Sequence, residues 1–407
     1  MDETPDQLFW GETRRRRSRG STLVVAMRAA VAVLAVGTAA GLAALWPHGR
    51  LAAATATTAT DGAVVDGVLA ASCPEPGAHG CRRVLITVTS GVRSGTHGSF
   101  TLVGQEGIAL ARGDRIRVYA NRFPAGTPAA QVRAVGRWSF ADFDRRGALL
   151  WLAVGFAVLL LLTARLRGLR ALLGLGVSLL VIVEFAIPAI LHGGSPVEVA
   201  LVGAFTVMLV TMPLVYGVGP KMLAALLGTA ASLLVAAGLA DVAARLAHLS
   251  GATDEALYLV STQSTLSLRG LLVAGMVIGA LGVLLDLTVS QSSTVLALRR
   301  ASPRLGFAGL FRGALDVGHD HIAATVNTLV FAYAGAALPV LLIFTIGHTA
   351  FTDAINGEAV AAQVVAALVG SIGLVLSMPL TTALAALLAE RMSVDELAAG
   401  AEPAHAH

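Results

Sequence analysis

Asp286, Ser290 and Ser293 stand at i, i+4 and i+7 in an otherwise apolar run, Gly279-Ala-Leu-Gly-Val-Leu-Leu-Asp-Leu-Thr-Val-Ser-Gln-Ser-Ser293. On a helix that spacing puts all three on one face. Asp320 and Asn327 share a face in the same way, Thr328 lies beside it and Tyr333 follows. An ionisable group inside a membrane helix costs several kcal/mol unless it is paired or hydrated, so each such position is a candidate for function. Carboxylate, amide and hydroxyl oxygens are the groups that replace water around a small cation. The pattern therefore reads as an ion or proton path between two helices. The competing reading makes Asp286 and Asp320 boundary charges paired with Arg299, Arg300 or Arg312, with Asn327 as interhelical glue. Glu184, one turn before Pro188, has no basic neighbour in its run and reads either as part of the path or as a protonated structural carboxyl.

Cys73 and Cys81, with His79 between them, are the second constellation. In an oxidising compartment the pair reads as a disulfide closing a short loop. The alternative is a metal site, but two thiolates and one imidazole leave tetrahedral zinc one ligand short. His319-Asp320-His321 could also ligate a metal, although positions i and i+2 on a helix point apart. No His-Glu-x-x-His, Gly-x-Ser-x-Gly or Ser-x-x-Lys run is present, so the sequence points away from an enzyme and to no cofactor. The single lysine, Lys221 in Gly-Val-Gly-Pro-Lys, does not belong to a Walker loop.

The elements that hold these groups follow from composition. Of 407 residues, 13% are charged, 56% are hydrophobic and 5% are aromatic, with mean hydropathy +0.75. A soluble domain carries about a quarter charged residues, and a disordered chain is polar. A multi-pass membrane protein remains, rich in the glycine and alanine that let helices approach in lipid. Apolar runs predict a first span at 21–46 and seven more at roughly 148–164, 171–191, 197–216, 222–246, 270–290, 322–346 and 359–386. The first run resembles a signal peptide in its basic flank, but its length favours an uncleaved anchor.

Arginine placement gives sidedness. With a cytoplasmic N-terminus, inside segments hold Arg14, Arg15, Arg16, Arg17, Arg19, Arg28, Arg165, Arg167, Arg170, Lys221, Arg299, Arg300, Arg304, Arg312 and Arg391. Short outside loops hold only Arg245 and Arg269. That asymmetry is a positive-inside signal, and an even number of helices returns the C-terminus to the cytoplasm. The arginines need no nucleic acid. The expected division is 1–20 basic cytoplasmic N-terminus, 21–46 anchor, 47–146 extracytoplasmic domain, 147–386 seven-helix bundle and 387–407 cytoplasmic tail, in a bacterial plasma membrane.

Within 47–146, an Ala/Thr-rich linker precedes strand-like runs at 63–69, 82–89, 99–103, 114–119 and 131–135. Val84, Ile86 and Val88 alternate on one face, and Ile116 and Val118 do the same. The fold class is a membrane all-α bundle of about eight helices with a small all-β domain, an OB- or SH3-like barrel, between helices one and two. The arginines of that domain are dispersed and read as an ordinary solvated surface rather than an anion site. Residues 291–321 read as the longest cytoplasmic connection, carrying a short amphipathic helix on the inner leaflet. A weak repeat relates Ala171-Leu-Leu-Gly174 to Ala225-Leu-Leu-Gly228, and Met212-Pro-Leu214 to Met378-Pro-Leu380.

Three stretches resemble the YibE/F-like family of bacterial multi-pass membrane proteins. They are Trp138-Ser-Phe-Ala-Asp-Phe-Asp-Arg145, Gly279–Asp286, and Gly318-His-Asp-His-Ile-Ala-Ala-Thr-Val-Asn327 running on to Tyr333-Ala-Gly335. The resemblance covers about 135–345 and the layout of anchor, extracytoplasmic domain and bundle. His319 stands where relatives usually have Arg, and Ala324 where they have Gly. The resemblance implies the topology and singles out Asp286, Asp320, Asn327 and Tyr333, with no activity to carry over. The functional expectation is a transporter or channel for an unidentified small solute or ion, with Asp286, Ser290, Asp320, Asn327, Tyr333 and Glu184 as its polar path. The alternative is a non-transporting envelope protein whose β-domain binds a partner or cell-envelope ligand. The lipid bilayer is the one partner common to both, and the oligomeric state is open.

Overall fold

The computed structural model describes residues 5–48, 60–73, 79–103, 108–121, 123, 126, 136–253, 257 and 266–392. The chain divides into a β-containing unit, 52–165, and a helical unit, 1–51 with 166–407.

The β-containing unit holds β1 (Thr60–Ala70), β2 (Arg82–Val88), β3 (His97–Leu102), β4 (Arg115–Ala120) and β5 (Trp138–Phe143), in the order β3-β2-β1-β4-β5. Every pairing is antiparallel, and a bridge from Phe100 to Gly136 links the β3 edge to the lead-in of β5, curling the sheet into a half-barrel. The alternation is the cause. Val84, Ile86, Ile116 and Val118 are fully buried, and Val65, Phe100 and Trp138 close the core with them. β1 serves both hairpins because a bulge between Val65 and Gly67 turns it from β4 toward the far end of β2. The expected strand at 131–135 lies outside the described residues. The strand at Trp138–Phe143 is not among the expected ones. Its Trp138 fills the room left by Gly98, where a Cβ would overlap the indole.

Cys73 and Cys81 are joined, with Cα atoms 5.2 Å apart, and the Ala71 N–H donates to the Cys81 carbonyl across the same end. With both thiols consumed and His79 exposed, the metal reading is overturned. Four of the arginines are held within their own unit. Arg82 donates to the Ile108 carbonyl at 2.8 Å, and Arg117 donates to Thr60 Oγ1 at 2.8 Å. Arg93 lies over the Trp138 ring at 5.7 Å. Arg145 donates to Asp142 at 2.7 Å and, with the Phe143 N–H, holds that carboxyl below its usual range.

In the helical unit and the helix that leads into it, seven helices among the described residues are long and apolar enough to cross a membrane. They belong to α1 (Pro5–Leu45), α2 (Arg146–Leu180) with its continuation, α4 (Pro196–Tyr216), α5 (Pro220–Leu246), α6 (Leu268–Ala301), α7 (Phe307–Ile346) and α9 (Glu358–Arg391). A π-helical segment, Val181–Ala186, and α3 (Ile187–Leu191) extend α2 into a run of 46 residues. It is broken at Arg165, where φ is 50° and ψ is −127°. Proline sits inside α4 at Pro213 and inside α9 at Pro379, the matching positions of the second repeat.

The connection expected at 291–321 is corrected. α6 runs unbroken to Ala301 and α7 begins at Phe307, so the turn is short. Ser293 and Thr294 stay helical because their hydroxyls donate to the Val289 and Ser290 carbonyls, at 2.6 and 3.0 Å. Leu310, in the stretch expected on the leaflet, is fully buried in a cluster with Ala314, Val295, Leu223 and Ala389. After α8 (Phe351–Asn356), Glu358 ties the start of α9 to the loop after α5. Its carboxylate accepts from the Ser250 N–H at 2.7 Å, the Gly251 N–H at 2.6 Å and the Ser250 hydroxyl at 2.8 Å.

Two outcomes follow. Replacing Cys73 and Cys81 together by Ser removes a short closed loop and is expected to cost the β-unit about 2–3 kcal/mol, read as faster hydrogen exchange of the β1 and β2 amides. Glu358→Ala leaves the Ser250 and Gly251 donors without an acceptor and is expected to speed exchange at those two amides, while the β-unit amides keep their rates.

Candidate functional site

The six path candidates are not brought to one place. Asp286 on α6 lies 3.5 Å from His321 Nε2 on α7, with its side chain 71% exposed. Asp320 and Asn327 are exposed on α7, and Glu184 is exposed on the π-helical segment. Ser290 is half-buried. Tyr333 is half-buried and packs on α6, where a Cβ on Gly279 would lie 3.1 Å from its hydroxyl. Asp286 and His321 thus form a polar pair at the edge of the α6–α7 contact, while Asp320, Asn327 and Glu184 face away from the bundle core. Among the described residues no three of His, Cys, Asp and Glu converge as a metal cluster.

The buried polarity lies deeper, where α5, α6 and α9 meet. Thr229 and Ser232 on α5, Thr288, Gln291 and Ser292 on α6, and Ser377, Thr381 and Thr382 on α9 are each at most 2% exposed. Three cross-helix contacts set them at neighbouring levels. Thr229 Oγ1 and Thr288 Oγ1 are 2.7 Å apart. Thr382 Oγ1 donates to Gln291 Oε1 at 3.5 Å. Thr381 sits against Gly228, where a Cβ would overlap its hydroxyl and stand 3.3 Å from its Cα. Ser232, Ser292 and Ser377 lie one turn from Thr229, Thr288 and Thr381 respectively.

Within this layer the Ser232, Ser292, Ser377 and Thr381 hydroxyls have no hydrogen-bond partner. A buried donor or acceptor left unmade costs on the order of 1–3 kcal/mol. A fold that accumulates four of them between the same three helices demands an explanation. Gln291 connects this layer to α7. Its amide occupies the space beside Gly318, where a Cβ would overlap both Gln291 Nε2 and Met378 Sδ. Gly318 precedes His321 by one turn, so the edge pair and the hydroxyl layer meet through Gln291.

In the sequence this layer is masked by the ionisable groups, which are expensive in lipid and stand out above hydroxyls that can bond their own helix. The available signal was spacing: small polar residues at i and i+3 or i+4 recur within three separate apolar helices.

A family model described as YibE/F-like protein matches residues 152–391, more than half of the chain. The chain belongs to the YibE/F-like family. No curated protein and no solved structure matches it. The YibE/F-like span contains the whole of the hydroxyl layer, Gln291, and the Asp286–His321 pair, and leaves out the β-strands. Family and apolar helices together mark a membrane protein.

Gly228→Ala is expected to force α5 and α9 apart and to destabilise the bundle by about 1–3 kcal/mol, measured as a lower melting temperature in detergent. Gly238→Ala on the same helix, where a Cβ meets nothing within 4 Å, is expected to leave that temperature unchanged.

Proposed function

We propose that this YibE/F-like protein is a transporter or channel for a small solute or ion. Its polar path starts at Asp286 and His321 on the α6–α7 edge, passes Ser290 and Gln291, and reaches the hydroxyl layer of α5, α6 and α9. The observation that carries the reading is the layer itself, with four unpartnered hydroxyls buried between three apolar helices. Polar groups of that kind in a membrane helix are expensive and mark solute or ion routes. Asp320, Asn327 and Glu184 belong to this path only where water or a further polypeptide covers their exposed faces.

The topology that goes with it has eight crossings, counting the long run around Arg165 twice. Arg165, Arg167 and Arg170 then form a cytoplasmic turn, both termini are cytoplasmic, and residues 47–146 are extracytoplasmic. A disulfide between Cys73 and Cys81 suits an oxidising compartment. The half-barrel is of the OB-like kind, since β1 pairs with both β2 and β4. The envelope-partner alternative has less support, because Arg82, Arg93, Arg117 and Arg145 are each engaged within their own unit.

The test is flux. Full-length protein in vesicles, followed with Na+-, K+- and H+-sensitive dyes and by counterflow of small solutes, is expected to exceed protein-free vesicles. Asp286→Asn is expected to lower the initial rate about tenfold by removing the charge at the mouth of the path. Rates equal to those of protein-free vesicles for every species would overturn the transport reading, and unchanged rates in Asp286→Asn would remove Asp286 from the path.

A further inference from the structure

A cavity of about 280 Å3 opens at the end of the helical unit where α4 and α6 begin and α5 ends. That volume lies at the lower edge of the range for small-molecule sites, so it suits a small ligand or a single headgroup. Local packing builds it. The start of α6 lies against the start of α4, where a Cβ on Gly270 would stand 3.3 Å from Pro196 Cδ. The loop after α5 folds onto the same point, since a Cβ on Gly251 would overlap the Leu268 carbonyl. The last two turns of α5 bring Asp241 and Arg245 to the wall, and Arg269 joins them from α6.

The polar groups on that wall are rich in hydrogen-bond donors. Arg245 donates from Nε to Asp241 at 2.9 Å, which leaves its two terminal nitrogens to donate elsewhere. Arg269 has no hydrogen bond or ion pair among the described residues. Ser267 Oγ accepts from the Gly270 N–H at 3.1 Å and keeps its own proton. The Val197 and Arg269 N–H groups lie in first turns and have no partner within their helices. One carboxylate, Asp241, lines the cavity, and Arg245 already engages it.

Two features single out Arg269. It stands in the first turn of α6, where the helix's own partial positive charge disfavours a cation, and no acidic residue shares that turn. With Arg245 it also makes up the pair of basic residues on the arginine-poor side of the bundle. A cation kept against both tendencies is explained by a counter-charge from outside the chain. A cationic ligand would meet two guanidiniums and a carboxylate that is taken, and an apolar one would strand the donors. An oxyanion supplies several acceptor oxygens at once, which guanidiniums, hydroxyls and the N–H groups of helix starts bind.

We infer that this cavity binds a phosphate-class oxyanion, either free or carried by a lipid headgroup. The inference goes beyond the transport reading and does not rest on it. At 1.5 Å per residue, Arg269 and Asp286 are about 25 Å apart along α6, so the cavity is remote from the Asp286–Gln291 path.

The experiment is equilibrium binding of radiolabelled orthophosphate to the purified full-length protein in detergent, with chloride as the background anion. Saturable binding is expected. Arg269→Gln is expected to weaken it about tenfold or more. Its melting temperature without phosphate is expected to stay at or above that of the wild type, because the change removes a cation from a helix start; a merely structural arginine would give a lower one. Arg300→Gln, exposed at the opposite end of α6, is expected to bind as the wild type does. Absence of saturable binding by the wild type would overturn the inference. Equal affinity in the wild type and Arg269→Gln, or an equal loss in Arg300→Gln, would overturn the assignment to this cavity. Competition separates the two sources. Displacement by short-chain phosphatidylglycerol but not by its deacylated form, glycerophosphoglycerol, assigns the cavity to a lipid headgroup. Displacement by both alike, or by neither, assigns it to a free anion.

Discussion

The close approach of α5, α6 and α9 is the constraint on which the bundle depends. In lipid an apolar side chain gains nothing by leaving its surroundings, so helices are held by dispersion contacts and by hydrogen bonds between closely spaced backbones. Here the spacing is set by small residues. Gly228 admits Thr381, and a Cβ on Gly373 would already stand 3.2 Å from that of Ala236. Ala224, Ala240, Ala244 and Ala386 are fully buried along the same contacts. Because the three helices are this close, their hydroxyls are sealed from both water and lipid. α7 packs along α9 through apolar residues such as Leu310, Ala314 and Leu329, and two glycines let it close on α6: Gly318 receives Gln291, and Gly279 receives Tyr333.

The β-unit obeys a different rule. Its core forms by removing β-branched and aromatic side chains from water, and the sheet curls because β1 must serve two hairpins at once. Charge there is local housekeeping. Arg82, Arg117, Arg145 and Arg93 each meet a carbonyl, a hydroxyl, a carboxylate or a ring of the same unit.

Periodicity made much of this legible in the sequence. The spans from Pro196 to Leu246 fall within two residues of their expected ends, and the alternation of Val84, Ile86 and Val88 marks the buried face of β2. Four of the strands and the Cys73–Cys81 pairing follow from the same kind of reasoning. What failed was reading polarity as an interruption. Ser290 to Ser293 looked like the end of a helix, yet a hydroxyl that bonds its own i−4 carbonyl costs a helix little, so α6 continues through them. The hydroxyl layer stayed hidden for a related reason. Which face of each helix meets which neighbour is a tertiary fact, and no single helix in this bundle announces it, because apolar residues surround each one on all sides.

The Glu358 carboxylate, which accepts from Ser250 and Gly251, has a mechanical consequence. It fastens the first turn of α9 to the far end of α5, so those two helices share a fixed joint beyond one end of the hydroxyl layer. A rod pinned at one end can only swing. α9 has 34 residues and is therefore about 50 Å long. A tilt of about 5° about that pin moves its far end, near Arg391, by about 4 Å. The displacement at Thr381 and Thr382, well along the rod, is more than half of that. A rearrangement at the pin would thus be geared up where the helix carries its hydroxyls, to the extent that α9 stays straight through Pro379.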